Sequence, residues 1–187
     1  MIIMDNKLSS QIKRGLKITT NYLLAVIVFA VFLMPVLTIF ENNNEPAIFV
    51  YSIIIFLLMV PTIYIEMSKL AFKEKRPQYN INPSPFKGFY YGFIGVVPLI
   101  LILIVLFSLR LPEDFSTLHK RLYQGFSGPL YWFAKSIGNK PVHYAISYVL
   151  LILMAGLGYY AGHKDFYLIA FIRNKLGKLR KSKNQNK

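Results

Sequence analysis

The chain is expected to be an all-α integral membrane protein, a bundle of four transmembrane helices flanked by interfacial amphipathic segments. Three observations predict this. Its 187 residues are 55% hydrophobic and only 16% charged, whereas soluble domains carry about 25% charged residues. The apolar residues gather in four stretches, each near the roughly 20 residues a helix needs to cross a bilayer core. Lys and Arg are concentrated outside alternate stretches, the asymmetry that orients membrane spans. None of the four stretches alternates polar with apolar residues, which argues against barrel strands.

The first element, residues 1–17, is expected to be a cytoplasmic arm. Leu8, Ile12 and Leu16 recur every fourth residue among Lys7, Lys13, Arg14 and Lys17, the pattern of a helix lying on an anionic leaflet. A four-span domain follows over residues 18–163. Its first span, 18–40, outlasts a signal-peptide core of about 7–15 residues, and no small-residue cleavage site precedes Glu41, so it is expected to be retained. The second span, 47–65, is free of charge until Glu66, which is expected to pair at the interface with the nearby Lys69 and Lys73. The third and fourth spans are expected at 89–110 and 141–162. A basic cytoplasmic tail, 164–187, closes the chain.

Orientation follows from the charges. The arm holds four Lys/Arg, the loop after the second span five and the tail eight, against none in the first loop and five in the third. Seventeen on one side against five on the other places both termini in the cytoplasm of a multi-pass cell-membrane protein. The net charge of +14 is thereby explained by topology and by attraction to anionic lipids of the inner leaflet. Nucleic acid is not an expected partner.

The outer loop, 111–140, is long for a plain connection. Phe115, Leu118, Leu122 and Phe126 fall at helical spacing, Gly125, Gly128 and Pro129 interrupt, and Leu130, Tyr131, Trp132, Phe133 and Ile137 form a second apolar patch. The expectation is two short helices resting on the outer leaflet, with a re-entrant or partner-binding loop as the alternative. Within the spans, Pro35, Pro61 and Pro98 are candidate hinges. Gly88 with Gly92, and Gly158 with Gly162, have the spacing that lets helix backbones approach. They are candidate helix contacts, expected to join the third and fourth spans.

Chemistry is harder to find. The middles of the spans, such as Val28-Phe29-Ala30 and Ile100-Leu101-Ile102, carry no polar group, where a solute pathway would need one. With no cysteine, disulfides and thiol nucleophiles are excluded. His119, His143 and His163 lack metal-ligand spacing. Lys69 with Arg76-Pro77 is similar to one element of the lipid-phosphate phosphatases, but their nucleophilic histidine motif is missing. Gly125-Phe126-Ser127-Gly128 resembles the serine motif of rhomboid proteases, in a chain with too few spans. No catalytic, cofactor or metal site is therefore expected.

The expected role is non-catalytic, that of an accessory or interaction protein with a membrane-protein partner or a second copy of itself. A transporter or channel subunit, with a pathway formed on oligomerisation, is the alternative. A membrane enzyme using Glu113, Asp114 and His119 stands third.

Overall fold

In a computed structural model the described residues, 7–40, 44–79, 81–109 and 116–166, are helices and short connections with no strand among them. Helix α1 is Leu8–Ile39, α2 is Asn44–Glu74 and α3 is Lys87–Ser108. Two short helices, α4 (Ser116–Phe126) and α5 (Tyr131–Ile137), flank a 3₁₀ turn at Gly128–Leu130. Helices α6 (Pro141–Ser147) and α7 (Val149–His163) complete the described chain. Four helical runs are long and apolar enough to cross a membrane: α1, α2, α3 and the α6–α7 pair.

Cross-helix contacts give the layout. Helix α1 runs antiparallel to α2, with Arg14 beside Glu74 and Tyr51 hydrogen-bonding the carbonyls of Val28 and Phe29. It runs parallel to α3, where Thr19 donates to the carbonyl of Gly95 at 2.6 Å. Helix α7 lies parallel to α2 and antiparallel to α3. The surface is apolar: Leu24, Leu58, Phe93 and Leu157, one from each long helix, are each 58–63% exposed. Such an apolar girdle over four helices is compatible with a membrane location.

The interior is filled by tyrosine as much as by aliphatic residues. Tyr22, Tyr91, Tyr144, Tyr148 and Tyr159 are all fully buried. Their rings meet edge-on, Tyr22 with Tyr148 and Tyr123 with Tyr144 at 5.4 Å between centroids, the orientation that aromatic quadrupoles favour.

Two expectations are revised by the described helices. Residues 8–17 do not form a separate surface arm: they are the opening turns of α1, continuous with the span, and Arg14 and Gly15 face inward. Lys7, Lys13 and Lys17 stay exposed, so the charge around the helix masked its buried face.

The loop expected at 111–140 contains two short helices among its described residues, but it does not simply rest on the end of the bundle. Ser127, Gly128, Pro129 and Leu130 are buried, and Gly128 sits against the ring of Phe29. The Ser52 hydroxyl on α2 donates to the carbonyl of Gly128 at 2.6 Å and accepts the Trp132 N–H at 3.1 Å. Tyr22 on α1 donates to the carbonyl of Phe126 at 2.9 Å. Irregular backbone away from water needs such partners. At the margin of this insert Lys135 reaches Glu45 at 2.8 Å; that hydrogen bond holds the ammonium pKa above its ordinary value.

Pro35, Pro61 and Pro98 lie within α1, α2 and α3. A break falls in the fourth apolar run, at Tyr148, between α6 and α7. Just before α6, Gly138 takes φ +153° with the His143 imidazole packed where a Cβ would stand, so only glycine suits this corner.

Candidate functional site

Helical periodicity carries a carboxylate into the core. On α2 the buried stripe Ile63, Met67, Leu70, Ala71 ends at Glu74, which is fully buried. Corresponding stripes deliver its partners. Arg14 precedes Ile18 and Tyr22 on α1, Tyr91 precedes Leu99 and Leu103 on α3, and Tyr159 follows Leu151 and Ala155 on α7.

The four long helices meet at this one side chain. Arg14 Nη1 lies 2.7 Å from Glu74 Oε1, which also accepts the Tyr91 hydroxyl at 2.7 Å. Oε2 accepts the Tyr159 hydroxyl at 2.7 Å and has Lys87 Nζ at 3.4 Å. Arg14 further donates to the Tyr91 hydroxyl at 3.3 Å, and Lys87 lies 5.5 Å from the centre of the Tyr91 ring. One negative charge is thus met by two positive charges and two phenol donors, and both carboxylate oxygens are occupied. A buried charge is tolerated when paired and hydrogen-bonded in this way.

This tie is the main feature that sequence reasoning missed. Glu74 stands in the charged stretch Lys73-Glu74-Lys75, past the expected end of the second span, and was not among the candidate residues. The available signal was the helical stripe from Ile63, which continues well past the apolar run. Glu66 also differs from expectation. It pairs across to α1, with Lys17 at 2.9 Å and Asn21 at 2.5 Å, rather than with Lys69 or Lys73 on its own helix.

Beside the tie, a cleft of about 770 Å³ opens between α1 and α2. Lys69 and Lys73 of α2 and Arg76 just beyond its end line it together with Lys17 of α1, above a wall that includes Pro61 and Ile65. We refer to this region as the basic end of the bundle.

The remaining candidates are dispersed. A Cβ on Gly88 would overlap Tyr159 of α7, and one on Gly92 would come within 2.8 Å of the Ile152 Cα. Gly158 and Gly162 turn the other way, onto the α2 backbone at Tyr64 and Ser68. The two glycine pairs therefore close different interfaces. His143 Nδ1 accepts the Lys140 backbone N–H at 3.1 Å, and His163 donates from Nε2 to the Pro83 carbonyl at 3.1 Å. They stand at opposite ends of the α6–α7 pair, and no metal-holding cluster occurs among the described residues. Ser127 is buried in the turn before Gly128. Glu113 and Asp114 lie outside the described residues, and for His119 only its place in α4 is described.

No protein-family model, curated protein or solved structure matches this chain. The fold and the tie define an all-helical protein with four membrane-length helices joined at one end through a buried carboxylate.

Proposed function

We propose that this is a multi-pass cell-membrane protein, with both termini cytoplasmic, acting as a non-catalytic accessory or interaction subunit. The supporting observation is the state of Glu74. Among the described residues it is the only fully buried carboxylate, and its oxygens serve to hold four helices together. A group so enclosed is suited to structure rather than to turnover. The orientation is supported by the clustering of Lys17, Lys69, Lys73 and Lys87 at one end of the bundle.

Two measurements test the reading. The chain has no cysteine, so single engineered thiols report without background. Ser136→Cys is expected to react with an impermeant maleimide in intact cells, whereas Ser9→Cys and Ser182→Cys react only after permeabilisation. The reverse pattern overturns the orientation. Purification in mild detergent is expected to recover a reproducible membrane-protein partner. A homo-oligomer that conducts solute in liposomes would instead establish the pore-forming alternative.

A further inference from the structure

We infer that the cleft between α1 and α2 at the basic end binds an anionic lipid whose headgroup carries two phosphates. This goes beyond the accessory role and rests on the membrane placement and orientation proposed above.

The cleft has the polarity gradient of an amphiphile. Along its α2 wall Pro61, Ile65, Lys69 and Lys73 recur every fourth residue and so share one helical face, beside Thr62, Glu66 and Leu70, and Arg76 follows in the bend beyond Glu74. Pro61 and Ile65 are apolar, whereas Lys69, Lys73 and Arg76 are cationic. The apolar part continues outward into Leu57 and Leu58, which are 60% and 63% exposed. Acyl chains laid along Leu57, Pro61 and Ile65 would join the surrounding lipid without crossing a polar barrier. A soluble phosphate would leave that half of the cleft unused.

The charges select the headgroup. Arg14 is committed to Glu74, and Lys17 to Glu66. Lys69 and Lys73 have no ion pair among the described residues, and Arg76 lies over the Phe72 ring at 5.2 Å without a carboxylate. Three cations therefore remain for a ligand: Lys69 and Lys73, about 6 Å apart along α2 at 1.5 Å per residue, and Arg76 in the bend past the helix end. Three charges at separate positions suit two phosphates better than one. Tyr79, from the 3₁₀ turn after α2, also lines the cleft and brings a hydroxyl donor. Basic pockets between helices at the inner face are the usual place for such headgroups.

The test uses full-length protein in detergent with equal amounts of cardiolipin, phosphatidylglycerol and phosphatidylcholine, with retained lipid read by native mass spectrometry. Cardiolipin is expected to be retained selectively. The triple variant Lys69→Gln, Lys73→Gln, Arg76→Gln is expected to lose that retention by roughly tenfold or more. A control triple, Lys7→Gln, Lys13→Gln, Lys164→Gln, removes as much charge outside the cleft and is expected to retain it. Equal loss in both triples shows diffuse attraction and overturns the site, as does undiminished retention in the cleft triple. Saturable binding of inorganic pyrophosphate without cardiolipin overturns the lipid assignment. Should the cleft triple fail to fold, Lys73→Glu alone carries the comparison, with the same loss expected and unchanged retention counting against the site.

Discussion

Replacing Glu74 with alanine is expected to destabilise the protein by about 3–5 kcal/mol, the range for breaking a buried ion pair from one side. The cost arises from what remains. Arg14 and Lys87, 9% and 14% exposed at their side chains, would face each other without the carboxylate between them, and the Tyr91 and Tyr159 hydroxyls would lose their acceptor. Glu74→Gln is expected to cost less, because the amide oxygen still accepts from one phenol. The double variant Arg14→Met, Glu74→Met is expected to recover part of the loss, because removing both charges avoids an unpaired one. Reversible unfolding in mixed micelles, followed by circular dichroism, measures all three. An alanine variant as stable as the parent would show that the four helices do not depend on this tie.

Gly162→Ala is expected to cost about 1–3 kcal/mol by overpacking. The added Cβ would fall 2.7 Å from the Ser68 Cα and closer still to its carbonyl oxygen. Backbone cannot rotate aside as a side chain can, so α7 and α2 must separate. Gly158→Ala meets Tyr64 in the same way, at 2.7 Å from its carbonyl oxygen, and is expected to behave alike. Gly125→Ala provides the contrast. No atom lies within 4 Å of its Cβ position, and alanine favours helix over glycine by about 1 kcal/mol, so that variant is expected to be neutral or stabilising. Equal melting temperatures for Gly162→Ala and Gly125→Ala would refute the close approach of α7 to α2.

Much of the scaffold was legible. Long apolar runs bounded by charge located four helices near residues 18–40, 47–65, 89–110 and 141–162, because hydropathy is a local property. Their ends were not. Helix α1 begins at Leu8 and α2 continues to Glu74, since helical stripes persist where average hydropathy has already fallen. The same averaging hid the site. Arg14 and Glu74 look like two more surface charges until each is placed on its stripe, and their pairing joins residues 60 positions apart. Gly128 and Pro129 marked a break in the loop, whereas Gly125 stays within α4. What buries that break is Ser52 and Phe29, on two other helices, and no local pattern announces such partners. The glycine pairs were visible as close-approach signals, but which helix each would meet depends on rotations that only the assembled bundle sets.

The sources of these contacts also imply an order of assembly. A ribosome delivers Tyr22, Phe29 and Ser52 before it delivers the segment from Phe126 to Trp132 that they receive, so that segment emerges to a waiting berth. For α7 the order is reversed. Gly88 and Gly92 are made early and face nothing until Ala155 and Tyr159 arrive, and Glu74 Oε2 lacks its phenol until the same moment. A chain halted before residue 150 would lack the Tyr159 hydroxyl at Glu74 and the α7 backbone along α3, so α7 is the last of the described helices to close the bundle.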